Sequence, residues 1–165
     1  FHSGMRPVEN DFVYDMFSIR FLEEKKEMSE PAPRASGQCH CGAIRYSMPT
    51  EVEHHALCHC SDCRRHAGAP MVGWALVSRT NLELTGTPKI YASSEHGRRH
   101  FCGDCGTGLF YTNEAIFPGQ IDVQSGTLDD PDLIPAGAQI QVAERIGWME
   151  KLDEMPAFNR YPGME

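Results

Sequence analysis

A mainly β domain preceded by one amphipathic helix is the fold class that the sequence predicts, and three observations predict it. From Gly37 onward, short segments of alternating or β-branched character are broken again and again by Gly and Pro, the pattern of a domain built from many brief strands. Before Gly37 the pattern is different: Val13, Met16, Phe17 and Phe21 recur at roughly helical spacing within residues 8–28 and are followed by the charged run Glu23 to Glu27. The third observation is the placement of the seven cysteines, all of which lie in the β-patterned part, in Cys-x-Cys, Cys-x-Cys-x-x-Cys and Cys-x-x-Cys spacings.

The elements follow in order. Phe1 to Gly4, ahead of Met5, resemble a vector-derived remnant and are set aside. The apolar face of the helix over residues 8–28 is expected to pack on the chain's own core or on a second subunit, which would make a homodimer through this extension, with recruitment of another protein as the alternative use. Ser29 to Gly37, with Pro31 and Pro33, reads as a linker, so residues 1–36 form an extension and residues 37–160 the main domain. Strands are expected over Ala43–Met48, Met71–Val77, Leu82–Leu84, Lys89–Ala92, Arg99–Phe101, Leu109–Thr112, Gln120–Gln124 and Gln139–Val142. Trp148 to Glu154 suits one or two helical turns stopped by Pro156, with Trp148 and Phe158 as core plugs.

At 165 residues, with 41 % hydrophobic and 23 % charged, the chain fits one globular domain, and no apolar run approaches the roughly 18 residues that a membrane span needs. The balance of 15 basic and 23 acidic residues, a net charge of −8, repels phosphate backbones and anionic lipid, so neither nucleic acid nor a membrane is an expected partner. An odd cysteine count in these spacings, without a signal-peptide pattern, argues against a disulfide framework; a reducing, cytoplasmic location is expected.

The cysteines carry the chemistry. Cys58, Cys60 and Cys63 lie within six residues, and a tight turn lets their sulfurs converge on one soft tetrahedral cation such as Zn²⁺. Cys39 with Cys41 and Cys102 with Cys105 contribute four more thiols, the full set for a closed structural site that would fasten distant parts of a sheet. The triplet's neighbourhood offers no fourth thiol. Either a histidine (His59, His66 or His100) closes it as a second fastener, or water or an exogenous thiol takes the fourth position, as at catalytic zinc.

Four ordered motifs then resemble a known family. Gly37 to Tyr46 (GQCHCGAIRY), Cys58 to Arg65 (CHCSDCRR) with Gly68-Ala69, Phe101 to Thr107 (FCGDCGT) and Gly126 to Pro131 (GTLDDP) look like the glutathione-dependent formaldehyde-activating enzymes, the Gfa or CENP-V/Gfa family, from about Gly37 to Phe158. The resemblance implies an Mss4-like (β-tent) fold and two zinc sites. Cys39, Cys41, Cys102 and Cys105 would hold the structural ion, and Cys58, Cys60 and Cys63 the active-site ion. It implies a carbon–sulfur lyase that condenses glutathione with formaldehyde to S-hydroxymethylglutathione; the same fold can also serve as a non-catalytic, zinc-stabilised binding module. A redox-sensing triplet that forms a disulfide on losing zinc is a third use of the same thiols. Two features depart from the family pattern, the extension up to Ser36 and Gln139, which stands where many members have a histidine. Because glutathione carries two carboxylates, cationic side chains are expected around the pocket. Arg64 and Arg65 are the first candidates and Arg98 and Arg99 the next, with Asp62 or His66 for proton traffic.

Overall fold

The computed structural model describes residues 32–163; the predicted helix over residues 8–28, and with it the expected subunit contact, lies outside the described residues. What is described is mainly β, with ten strands in two sheets and one α-helix.

The smaller sheet has the order β1-β2-β5 and is antiparallel, formed by β1 (Arg34–Gln38), β2 (Arg45–Pro49) and β5 (Glu83–Thr85). The larger has the order β10-β3-β4-β9-β8-β7-β6. Its strands are β3 (His54–Cys58), β4 (Val72–Ser78), β6 (Lys89–Ala92), β7 (Gly97–Phe101), β8 (Gly108–Asn113), β9 (Gln120–Gln124) and β10 (Ala138–Ile140). All its neighbours are antiparallel except β10, which joins β3 in parallel at the edge. Helix α1 (Ser61–Ala67) follows directly on β3.

Strand alternation decides what faces what. Ala35 on β1 with Tyr46 and Met48 on β2 point at Ala75, Val77, Phe110, Ile121 and Val123 of the large sheet, and these side chains are the main core. Tyr46 meets Phe110 edge-on at 5.2 Å, and its hydroxyl bonds the Thr127 hydroxyl at 2.7 Å. The alternate residues of the same central strands, Val72 and Trp74 on β4, pack with Cys58 in a second apolar cluster on the other side of the large sheet. β4 and β9 are therefore covered on both faces, which is why Met71–Val77 reads as a continuous apolar run in the sequence.

Eight expected strands are present, most shifted by one or two residues, and the late one ends at Ile140, with a 3₁₀ turn over Val142–Glu144. Two strands were not expected. β1 occupies the last part of the stretch read as a linker, from Arg34, because Ala35 and Gly37 alternate into the core and the backbone pairs with β2 in spite of the flanking prolines. β3 was hidden by its two polar histidines, only one of which is exposed. Gly37 must be glycine, since a Cβ there would stand 2.3 Å from the Tyr46 ring. The predicted turn over Trp148–Glu154 forms as 3₁₀ helix within Gly147–Glu154. Trp148 and Phe158, however, are 49 % and 58 % exposed and fill no core, because Met149 supplies the buried contact of this segment.

Truncation of Phe110, which is 1 % exposed, is expected to cost about 3–5 kcal/mol, read as a lowered denaturation midpoint for Phe110→Ala.

Candidate metal centres

The first centre joins two knuckles from opposite ends of the fold. Cys39 follows β1, its amide donating to the Ile44 carbonyl at 3.0 Å, while the Ile44 amide donates to Cys39 Sγ at 3.2 Å. Gly42, at φ +76°, closes that turn. Cys102 follows β7, its amide donating to the Thr107 carbonyl, and Gly106, at φ +79°, donates back to the Cys102 carbonyl. The Sγ atoms of Cys39, Cys41, Cys102 and Cys105 all lie within 4.8 Å of one another, with Cys39 to Cys41 at 3.5 Å and Cys41 to Cys102 at 3.7 Å. Hydrogen bonds from Thr107 bring the Cys105 thiol down to about 5, so one thiolate forms readily. Four sulfurs at this separation suit a tetrahedral thiolate-bound ion such as zinc.

The second centre is local. β3 ends at Cys58, the chain turns through His59, and Cys60 becomes the N-cap of α1, its sulfur accepting from the Cys63 amide at 3.3 Å. One helical turn therefore brings Cys63 back toward Cys58, and the three sulfurs lie within 4.8 Å of one another. Burial, together with the neighbouring thiols, pushes the Cys58 thiol up to about 12, and burial raises Cys63 as well. A soft divalent cation is the partner that lets such sulfurs ionise together.

None of the three histidines expected as a fourth ligand belongs to this cluster. His59 is buried and its Nε2 pairs with Gln139 Oε1 at 2.9 Å. His66 lies on α1 with its ring 6.5 Å from Phe101, held below the ordinary imidazole range by burial and by Arg99. His100 pairs in register with Phe110, and its ring packs 6.3 Å from that core side chain.

The arginines separate just as clearly. Arg98 turns away and donates to the carbonyls of Ser94, Glu95 and Gly97. Arg99, its neighbour on the strand, points the opposite way and is 6 % exposed. Its guanidinium lies over the Tyr111 ring at 5.2 Å, with one terminal nitrogen 3.9 Å from Cys63 Sγ. Arg64 donates from Nε to the His59 carbonyl and so braces the cysteine turn. Arg64 and exposed Arg65 also line a groove of about 460 Å³ between the end of α1 and Ile146 and Trp148. Asp62 is exposed on the first turn of α1.

Several supporting residues carry no sequence signal of their own. The Ser61 amide donates to Glu144 Oε2 at 2.8 Å, and the His59 amide donates to the Ile140 carbonyl, so the late segment holds both ends of the turn. Gln139 thus serves the site through His59 rather than as a ligand of its own. On β9, Asp122 and Gln124 share the triplet's sheet face, in register with Leu76 and Trp74.

The fold and site define a β protein with two cysteine clusters that could each hold a metal ion, one with four sulfurs and one with three. Residues 34–144 match the model of the family described as glutathione-dependent formaldehyde-activating enzyme, and the chain belongs to that family. An "uncharacterized lyase" of Schizosaccharomyces pombe is 32 % identical over 83 residues, which span 49 % of this chain and 61 % of that one. A "putative glutathione-dependent formaldehyde-activating enzyme" of Halomonas elongata is 32 % identical over 133 residues, covering 69 % of this chain and 78 % of its own. A Rhodobacter sphaeroides protein of known crystal structure shares the fold, with a TM-score of 0.50, 24 % identity, and coverage of 63 % of this chain and 98 % of that one. Among the described residues no helix is long and apolar enough to cross a membrane.

Cys60→Ser is expected to lower zinc content from two equivalents to one while the melting transition stays cooperative, whereas Cys102→Ser should lower the midpoint far more; metal analysis and calorimetry read both. Burial raises the Asp122 carboxyl to about 7, from 3.8 in the open chain. Folding therefore favours the protonated form. Its stabilisation is complete below about pH 4 and is lost as the pH rises through about 7. Asp122→Asn should accordingly raise the midpoint over the natural chain at about pH 8, by a margin that closes towards pH 4, in a pH series of thermal melts.

Proposed function

We propose that Cys58, Cys60 and Cys63 hold a zinc ion with one position left for a thiol, and that the protein joins glutathione, or a related thiol, to formaldehyde or a related aldehyde. The product is S-hydroxymethylglutathione or its analogue, and the reverse reaction is a carbon–sulfur lyase step. The observation that carries this is the donor count, three sulfurs within 4.8 Å with no histidine or carboxylate among them in the described residues. The names of the family and of the two relatives support it.

A zinc ion held by Cys58, Cys60 and Cys63 would supply stabilisation of the substrate thiolate at neutral pH, where a free thiol of pKa about 8.5 is only a few per cent ionised, a gain of roughly tens-fold in thiolate. The bond changes then balance without an oxidant. The substrate sulfur's lone pair forms the carbon–sulfur bond, the carbonyl π pair moves to oxygen, and the proton given up by the thiol returns to that oxygen.

This chain's own residues shape where that happens. Trp74 and Tyr111, with ring centroids 6.2 Å apart, pack beside the sulfurs and keep water from the reacting carbon. Arg99 stays charged next to Cys63 and offsets the negative charge of the sulfur cluster. The groove lined by Arg64 and Arg65 is the proposed seat for the carboxylates of a peptide thiol. A thiol-rich site of this kind needs a reducing compartment, in keeping with the expected cytoplasmic location.

Millimolar glutathione should raise the melting midpoint of the zinc-loaded protein, because a ligand of the folded state alone stabilises it by mass action. With ¹³C-formaldehyde, NMR should show the hydroxymethyl thioether carbon appearing faster than in buffer, and Cys60→Ser should abolish both effects. No midpoint shift would transfer the function to another thiol or to the non-catalytic binding module.

A further inference from the structure

The sheet face that carries the triplet also gathers donors that have nothing to donate to. Register lines up Leu76, Asp122, Tyr111 and Arg99 across four strands and sets Gln124 opposite Trp74. Among the described residues, Arg99 Nη1, Gln124 Nε2 and His66 Nε2 are buried without a hydrogen-bond partner. Arg99 and Gln124 are only 6 % and 9 % exposed, so water does not satisfy them freely.

These atoms converge. A Cβ on Gly108 would stand 2.6 Å from Gln124 Nε2 and 3.0 Å from His66 Nε2, so the two nitrogens close over residue 108 side by side and only glycine leaves them room. Arg99 lies near enough to His66 for its charge to act on that imidazole. Its face is taken by Tyr111 and its Nη2 approaches Cys63 Sγ at 3.9 Å, which leaves Nη1 unused in the layer just outside the sulfurs. The guanidinium can only donate and carries a fixed positive charge, the Gln124 amide presents its NH2, and imidazole Nε2 donates in one tautomer. Buried donors beside a nucleophile call for an acceptor, and preferably a charged one.

We infer that Arg99, Gln124 and His66 form an anionic-oxygen subsite beside the Cys58, Cys60, Cys63 cluster. It would receive an oxygen carried one or two carbons from the substrate sulfur. The inference rests on the proposed thiol centre. Two sources share this chemistry: the aldehyde oxygen, which becomes an alkoxide as the carbon–sulfur bond forms and then takes the proton released by the thiol, and a carboxylate on a short thiol acid.

The test uses full-length protein with cobalt(II) in the triplet site, whose sulfur-to-metal absorption reports a fourth sulfur, and compares mercaptoacetate with mercaptoethanol at equal thiolate concentration. If a carboxylate is the source, mercaptoacetate binds about 10-fold more tightly than mercaptoethanol, and Arg99→Gln or the isosteric Gln124→Glu removes that ratio, the two thiols being compared within each variant so that any general loss of thiolate affinity cancels. In the zinc enzyme, if the adduct oxygen is the source, Arg99→Gln lowers kcat about 10-fold or more, in addition to any rise in KM for the thiol, and Arg99→Lys restores part of it. Retention of both metal equivalents shows that a variant is folded, and Gln124→Glu serves where Arg99→Gln is not. A positive result in either arm supports the subsite and names its source. Equal thiol affinities together with unchanged kcat overturn the subsite and leave the thiol centre standing. A cobalt spectrum that neither thiol alters overturns both.

Discussion

Four sulfurs separated by most of a sheet must meet within 4.8 Å, and much of the architecture follows from that requirement. Cys41 and Cys102 are 61 residues apart, yet their Sγ atoms are 3.7 Å from each other. Cys39 closes β1 and Cys102 closes β7, so bringing the knuckles together presses the three-stranded sheet against the seven-stranded one and traps Ala35, Tyr46 and Met48 over Phe110, Ile121 and Val123. The loop-closure entropy of joining such distant segments is an early cost in folding, and a metal that bonds both knuckles offsets it at one point. The backbone is prepared for that role. Each knuckle is already turned by its own amide bonds and by a glycine at positive φ, so little rearrangement is left for binding.

The second centre is built on the opposite plan. Its sulfurs come from one strand-to-helix turn, so closing it brings no distant segments together and holds no two sheets in place. Support comes instead from outside the turn. Arg64 reaches back to the His59 carbonyl, Gln139 holds the His59 ring, and Ile140 and Glu144 hold the backbone at His59 and Ser61. A centre that ties no distant segments together is free to keep a coordination position for chemistry. The long-range site is not, because a missing ligand there would loosen the docking of the sheets.

Much of this was legible in the sequence, for physical reasons. Cysteine spacing constrains geometry directly, so the division into four and three could be read from the residues, and alternation gave eight of the strands. Helix α1 was not legible. Its seven residues bury nothing and show no apolar stripe, and what makes them helical is a sulfur cap at Cys60 and an αL glycine at Gly68. β1 was obscured by prolines and β3 by adjacent histidines. Trp148 and Phe158 misled because large aromatic rings are usually core, whereas here the core was already filled from the two sheets. The choice between Arg98 and Arg99 turns on a period of two and cannot be made until the register of β7 on β8 is known.

That register also settles the electrostatics of the site. The chain carries −8 overall, which disfavours an anionic substrate at long range, and three thiolates on the proposed divalent cation would add a local charge of −1. Arg99 is the counterweight, a buried guanidinium beside Cys63 that brings the immediate balance to zero. Asp122, the nearest carboxyl in the same row of the sheet, would undo this if it were fully ionised, but burial raises it to about 7, so it is substantially protonated at neutral pH. A thiolate can then reach the sulfur cluster without opposing a net negative field. The placement of one arginine and the burial of one aspartate, both fixed by strand pairing rather than by the cysteine motifs, decide whether the centre can accept an anion.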